Sequence, residues 1–231
     1  MKILIVGCER SGTTIIAKLL SKSTGLKLLN DPKESWYIYP LVKVIGIKGM
    51  PISFIYKLWS FPLVKVPGFA TILPQLRKIL LKKFKIIYLV RDPRDNYAAI
   101  KERLNEDLNG LYVNINFLNL KGKNQCENIS YRWNAYLNSA KNYNKIYGDV
   151  LFIRYEDFLE NKLSILDKIA KFCNVNHDSS LIVNEIDKQI NKSWSNKIKG
   201  KDRYVNELTP DEINTISKIT YENMKLFNYK Q

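Results

Sequence analysis

The 231-residue chain has one histidine and three cysteines. A lone histidine excludes a His-rich metal centre. Cys8, Cys126 and Cys173 are odd in number, far apart and without metal-ligand spacing, so neither a disulfide framework nor a metal site is expected. No run of 18 apolar residues occurs, and no membrane span is expected. The apolar stretch behind Met1-Lys2 is too short for an export signal and runs straight into Glu9 and Arg10, so a cytoplasmic location is the expectation, with the membrane face as a variant of it. Acidic charge is also scarce. Asp and Glu total 22 against 37 Lys and Arg, a net charge of +15 that implies an anionic partner such as a nucleotide, an acidic glycan, nucleic acid or an anionic membrane surface.

The hydrophobic share is 45%, and at this length it supports one domain with a real core, spanning residues 1–231. Residues 2–6, 85–90 and 149–155 are apolar, β-branched runs that read as buried strands. Residues 13–22, 92–104, 128–146 and 163–173 read as helices, and Thr209-Pro210-Asp211-Glu212 opens a last one with a capping pattern. Strands alternating with helices predict an α/β fold: a P-loop-NTPase-like parallel sheet flanked by helices on both faces. One segment stands apart. Ser35 to Arg91 holds no acidic residue, and its portion at about 38–75 is basic, aromatic-rich and punctuated by Pro and Gly. It reads either as an irregular insert plus a helix with a solvated basic face or as a surface for an anionic acceptor or a membrane.

The stretch GCERSGTT, Gly7 to Thr14, follows the first strand and opens the first helix. Strand, glycine loop and helix make backbone N–H groups converge on an anion. A nucleotide kinase places a lysine straight after the second glycine, but Thr13 stands there. Arg10, two residues before Gly12, can supply the cation from the other side. Ser11, Thr13 and Thr14 add hydroxyls. The pattern suits a metal-free site for a phosphate bearing one further anionic group better than magnesium-bound ATP.

Arg10-Ser11-Gly12-Thr13-Thr14 resembles the 5′-phosphosulfate loop of sulfotransferases that use 3′-phosphoadenosine 5′-phosphosulfate (PAPS). IYLVRDPRD resembles the family's 3′-phosphate site, with Arg91 at the strand end. IRYEDFLEN, residues 153–161, is similar to the Tyr-Glu-Asp segment behind a later core strand. Three motifs in order cover residues 2 to about 175. The resemblance implies a P-loop-like fold, PAPS as sulfuryl donor, PAP as product and no metal. It places Tyr155 against the adenine and Lys199, in KIKGKDRY, on a loop over the 3′-phosphate. Where the family has a serine eight residues after the arginine, this chain has Ala99. Asp92-Pro93-Arg94-Asp95 is at the same time a plain helix start, with Asp92 as cap and Asp95 satisfying the first turn.

Sulfuryl transfer to an alcohol needs a base on the hydroxyl and cations on the leaving oxygen. His177 lies far along the chain from every motif and reads as a surface residue. The resemblance to the carboxylate-using, glycan-type branch points to Glu34, ahead of Trp36 and Tyr37, with Asp31 as the rival. Asp31-Pro32-Lys33-Glu34 also has the form of a capped helix start. The acceptor implied is a hydroxyl of a glycan or glycolipid, with peripheral contact to an anionic membrane as an accompanying expectation and nucleic acid disfavoured. Two other readings stay open: a P-loop nucleotide or small-molecule kinase, and a non-catalytic protein that binds anionic surfaces.

Overall fold

The computed structural model describes residues 2–80, 84–106, 118–120, 122–183 and 201–230. Its centre is a parallel five-stranded sheet: β1 Lys2–Gly7, β2 Leu28–Asn30, β3 Leu63–Lys65, β4 Phe84–Val90 and β5 Val150–Arg154. The strand order is β2-β3-β1-β4-β5. β1 and β4 pair over six residues, from Lys2 with Phe84 to Gly7 with Leu89. Both are largely apolar and rich in Ile and Val, as strands buried on two faces must be.

The pleat divides these strands between two cores. Leu4, Val6, Ile86, Tyr88 and Val90 face one side. There they meet α2 (Ser35–Ile45), α3 (Ile52–Ser60), α4 (Leu73–Leu80) and α6 (Gln125–Tyr147), through Val42, Phe54, Leu76, Trp133 and Tyr136. Ile3, Ile5, Ile87 and Leu89 face the other side, against Ile16 and Leu20 of α1 (Thr13–Thr24), Phe158 of α7 (Tyr155–Glu160) and Leu166 and Ile169 of α8 (Lys162–Cys173). A third cluster joins α5 (Pro93–Glu106) to α6 and α10 (Pro210–Leu226) through Ile100, Ile129 and Ile216. The short helix α9 (Tyr204–Glu207) sits beside it. The Thr209 capping box forms: its side chain accepts from Glu212 N–H while Glu212 reaches back.

The acid-free segment is not irregular. Residues 35–80 fold into α2, α3, β3, α4 and two 3₁₀ turns, and β3 inserts between β1 and β2. The prolines and glycines that suggested irregularity mark the breaks between short elements. α2 even carries Pro40 inside it. The three cysteines are buried and free. Burial pushes the Cys8 and Cys173 thiols up to about 12 and Cys126 up to about 11, which makes them core residues and not nucleophiles.

Candidate active site

Because every strand is parallel, Gly7, Asn30, Lys65, Val90 and Arg154 all end on one edge of the sheet. The connections from neighbouring strands β1 and β4 leave on opposite faces, through α1 and α6. That divergence opens a crevice at the carboxyl ends of β1 and β4. The loop from Gly7 to Gly12 fills its mouth.

The loop has an unusual backbone. Gly7 has φ 149, Arg10 φ 67 and Gly12 φ 84. A Cβ on Gly7 would lie 2.4 Å from the Leu89 carbonyl oxygen, and one on Gly12 would lie 2.3 Å from the Tyr155 ring. Both positions therefore require glycine. The carbonyls of the loop are held from behind. Cys8 O accepts from Ser11 N at 3.2 Å. Glu9 O accepts from Asn96 Nδ2 at 2.7 Å. Arg10 O accepts from Arg91 Nη1 at 3.0 Å. Asn96 Nδ2 also donates to Ser11 Oγ at 3.2 Å. With its carbonyls so engaged, the loop feeds α1, whose leading N–H groups, including those of Thr13 and Thr14, have no carbonyl partner within the helix. A fixed loop, a helix start and Arg10 together form an anion site.

Arg91 stands directly behind it and is only 5% exposed. Its guanidinium stacks over the Tyr155 ring at 4.8 Å and lies 3.9 Å from Asp95 Oδ2. Its Nε and Nη2 are buried with no hydrogen-bond acceptor among the described residues. Buried donors of this kind call for a partner such as a water or an anion. Burial raises the Asp95 pKa, against the opposing charge of Arg91. Asp95 does not satisfy the first turn of its own helix, as its position suggested. It accepts from the N–H groups of Asp202 and Tyr204, at 3.0 and 3.1 Å, and so docks a distant segment beside Arg91. Lys199, expected near the 3′-phosphate, lies outside the described residues. Asp92 does cap α5, accepting from Arg94 N–H at 2.9 Å.

Tyr155 is buried between Gly12 and Arg91, with Phe158 beside it. In this position it supports the loop. Its neighbour Glu156 ties Asp92 N–H to the Tyr229 hydroxyl, at 2.9 and 2.8 Å, which locks the exits of β4 and β5 to the end of the chain.

The two carboxylates differ in setting. Asp31 follows β2 with φ 45 and does not cap α2. Its carboxylate instead lies 3.2 Å from Lys65 Nζ, at the end of β3. Lys65 is buried, and burial lowers its pKa although Asp31 and Glu9 act to raise it. Glu34 is exposed and pairs with Lys57 of α3 at 2.6 Å, and that hydrogen bond lowers its pKa. The capping box expected of Asp31 and Glu34 therefore does not form, because each carboxylate is drawn to a lysine that the sequence places 23 to 34 residues away. His177 is not a free surface residue: its Nδ1 lies 2.8 Å from Asp167 of α8.

Glu9 was not evident from sequence. Its carboxylate meets the Tyr136 hydroxyl at 3.3 Å and Arg132 Nη1 at 3.6 Å, both from α6. Burial acts to lower the Arg132 pKa, but Glu9 and the neighbouring thiol and phenols outweigh it and hold the pKa above the ordinary value. The charges of Glu9 and Asp31 both act on Tyr39 of α2, so these two carboxylates share one end of the sheet. Only the fold brings Glu9, Asn96 and Arg132 together, and no local pattern signals it.

The family model described as "Sulfotransferase domain" matches residues 1–228. The chain belongs to the sulfotransferase family. The structure is similar to the sulfotransferase domain of the curacin biosynthetic pathway, at 16% identity and TM-score 0.63, covering 99% of this chain and 98% of that one. It is similar to the sulfotransferase domain of the Synechococcus PCC 7002 olefin synthase, at 19% identity and TM-score 0.59, covering 95% and 94%. A mouse sulfotransferase complexed with PAP matches at 19% identity and TM-score 0.63, covering 97% and 84%. At these identities the likeness to the solved structures is one of fold. No curated protein matches the sequence. The sheet order and the helices on both faces of this sulfotransferase agree with the P-loop-like fold read from its motifs.

Proposed function

We propose that this sulfotransferase moves a sulfuryl group from PAPS to a hydroxyl of a glycan or glycolipid, by in-line displacement without a metal ion. PAPS supplies an activated sulfuryl group on a phosphate leaving group, and PAP is the product. The observation that carries the reading is the loop itself, with its carbonyls tied back and Arg10 in place of the kinase lysine. Arg10, with the N–H groups of Gly12, Thr13 and Thr14, holds the 5′-phosphate end and stabilises charge on the leaving oxygen. Ser11 and Asn96 position the loop. Arg91 and Lys199 serve the 3′-phosphate end, and Tyr155 braces the loop between Gly12 and Arg91.

A carboxylate takes the acceptor proton as the new O–S bond forms and the bond from sulfur to the phosphate oxygen breaks. The lysine bond that lowers the Glu34 pKa weakens it as a base. Asp31 also meets a lysine, Lys65 at 3.2 Å, but it directly follows β2 at the sheet edge that carries the loop, which supports it over the exposed Glu34. Asp31→Asn is expected to lower kcat by about 100- to 10,000-fold with little change in the KM for PAPS. Glu34→Gln should stay within about twofold of wild type, since it removes one exposed ion pair. The reverse pattern would assign the base to Glu34. A glycan-type acceptor is supported by carboxylates near the loop while the one histidine is engaged by Asp167 of α8.

Thermal shift separates this reading from its rivals. A ligand at 100 times its Kd stabilises by about 2.7 kcal/mol. In a chain this long that corresponds to a rise in Tm of roughly 5–10 °C. PAP should produce this rise with or without magnesium, and ATP should not. A shift only with ATP and magnesium would identify a kinase, and no shift with either would leave a non-catalytic binding protein.

A further inference from the structure

α2 and α3 are apolar on two sides. Their inner stripes, Ile38 and Val42 on α2 and Phe54 and Leu58 on α3, are buried in the core. Their outer stripes are equally apolar. Tyr37, Val44 and Ile45 on α2 and Ile52, Tyr56 and Trp59 on α3 are exposed, with Tyr37 and Ile52 above 70%. The spacings of four, seven and eight residues put each set on one face of its helix. Large side chains gathered outward in this way form a patch, unlike the scattered exposed apolar residues normal on a surface.

We infer that this face is a docking surface for an anionic lipid bilayer. The charge around it selects that occupant. Lys33 just before α2, Lys43 on α2 and Lys48 in the turn between α2 and α3 are exposed. No acidic residue occurs from Ser35 to Arg91. Glu34, at the start of α2, is already paired with Lys57. A second copy of the chain on this face would set lysines against lysines, whereas phospholipid headgroups would neutralise them. The geometry suits lying in an interface. α2 has 11 residues and α3 has 9, about 16 and 14 Å of helix against a hydrocarbon core of about 30 Å. The two segments meet at 107°, and among the described residues no single helix is long and apolar enough to cross. Aromatic residues beside aliphatic ones, rimmed by lysine, are what an interfacial helix presents to headgroups and acyl chains.

α2 starts shortly after Asp31, at the sheet edge that carries the loop. Docking would therefore bring the site to the bilayer and favour a lipid-borne hydroxyl acceptor. That consequence rests on the sulfuryl-transfer reading. The docking itself does not, and its test uses neither donor nor acceptor.

The full chain is floated with vesicles of phosphatidylcholine alone and with phosphatidylglycerol added. Flotation is expected only with the anionic vesicles, with loss at high salt and a blue shift of tryptophan emission. Trp59→Phe should float and lose most of the blue shift. Ile52→Glu combined with Tyr56→Glu should cut partitioning by roughly tenfold or more. Both positions are exposed, so the far-UV circular dichroism and Tm of that variant should match wild type. Absence of flotation, or equal flotation of the double variant, overturns the inference. So would a dimer seen by sedimentation that the double variant abolishes, because the face would then belong to a second copy.

Discussion

Gly12→Ala is expected to abolish the thermal shift with PAP and to lower kcat/KM by at least about 100-fold, the scale of a misplacement near 1 Å at a reacting centre. The added methyl would fall 2.3 Å from Tyr155 Cδ2 and 2.5 Å from Cε2. The ring cannot retreat, since it is buried with the Arg91 guanidinium and Phe158 against it. The left-handed backbone at φ 84 adds about 1 kcal/mol of strain for any residue with a Cβ. The clash adds about 1–3 kcal/mol if the native loop is kept, so the loop should shift instead. A double-mutant cycle isolates the cause. Tyr155→Ala alone leaves a cavity and costs about 3 kcal/mol. Combined with Gly12→Ala, the total loss of stability should fall short of the sum by about 1 kcal/mol or more, because the removed ring makes room for the methyl. Strict additivity would show that the ring does not dictate glycine here. Gly7→Ala offers no such rescue, because its methyl would meet the main-chain oxygen of Leu89.

The readable parts of this protein are those in which the message is local. β1, β4 and β5 are largely apolar runs, and the strands expected at residues 2–6, 85–90 and 149–155 agree with the observed bounds to within a residue or two. The loop from Gly7 to Thr14 and Arg91 at the end of β4 are defined by spacing within a few residues. The capping box at Thr209 likewise needs only four residues in a row. β2 and β3 escaped notice because LLN and LVK are three residues each, too short to show alternation. Of α2 only the start is signalled, at Asp31 to Glu34, and α3 is not, because lysines, Pro40 and paired aromatic stripes blur the period that marks a one-sided helix. The remaining site contacts join residues far apart in sequence. Asn96 reaches back 85 to 87 residues to the loop, and Tyr136 lies 127 residues from Glu9. They exist because the sheet sets β1 next to β4, and no window of sequence contains both partners. The Asp31 case shows local logic overruled: a sound capping pattern yields to a buried lysine that needs a counter-charge.

Arg91→Met is expected to have the widest consequences, because one guanidinium holds the loop, stacks on Tyr155 and faces Asp95. The shape of methionine approximates the stem, so packing is largely kept and the loss is one of charge and hydrogen bonds. Removing one partner from a buried ion pair costs about 3–5 kcal/mol, and the 3.9 Å separation from Asp95 puts this pair toward the low end. PAP should lose its stabilising effect, since Arg10 O loses the donor that fixes the loop and, on the proposed assignment, the 3′-phosphate end loses its cation. Arg91→Lys should restore the Asp95 pairing in part and the PAP effect little, because an ammonium cannot donate in a fork and stack at once. The pH dependence distinguishes this account from simple loss of packing. Burial already holds the Asp95 pKa above its unfolded value, while Arg91 works to lower it. With Arg91 gone, the folded pKa of Asp95 rises further. Between the unfolded and folded values the folded state then binds more protons than the unfolded chain, so stability falls as pH rises through that window and recovers as pH is lowered. The stability gap between wild type and Arg91→Met, measured by urea unfolding, should therefore narrow from pH 7 toward the unfolded Asp pKa near 4. With Asp95→Asn as the background, the gap between that variant and the one that also carries Arg91→Met should lose that dependence. A gap that stays constant with pH in the single variant would show that Asp95 does not depend on Arg91 for its charge.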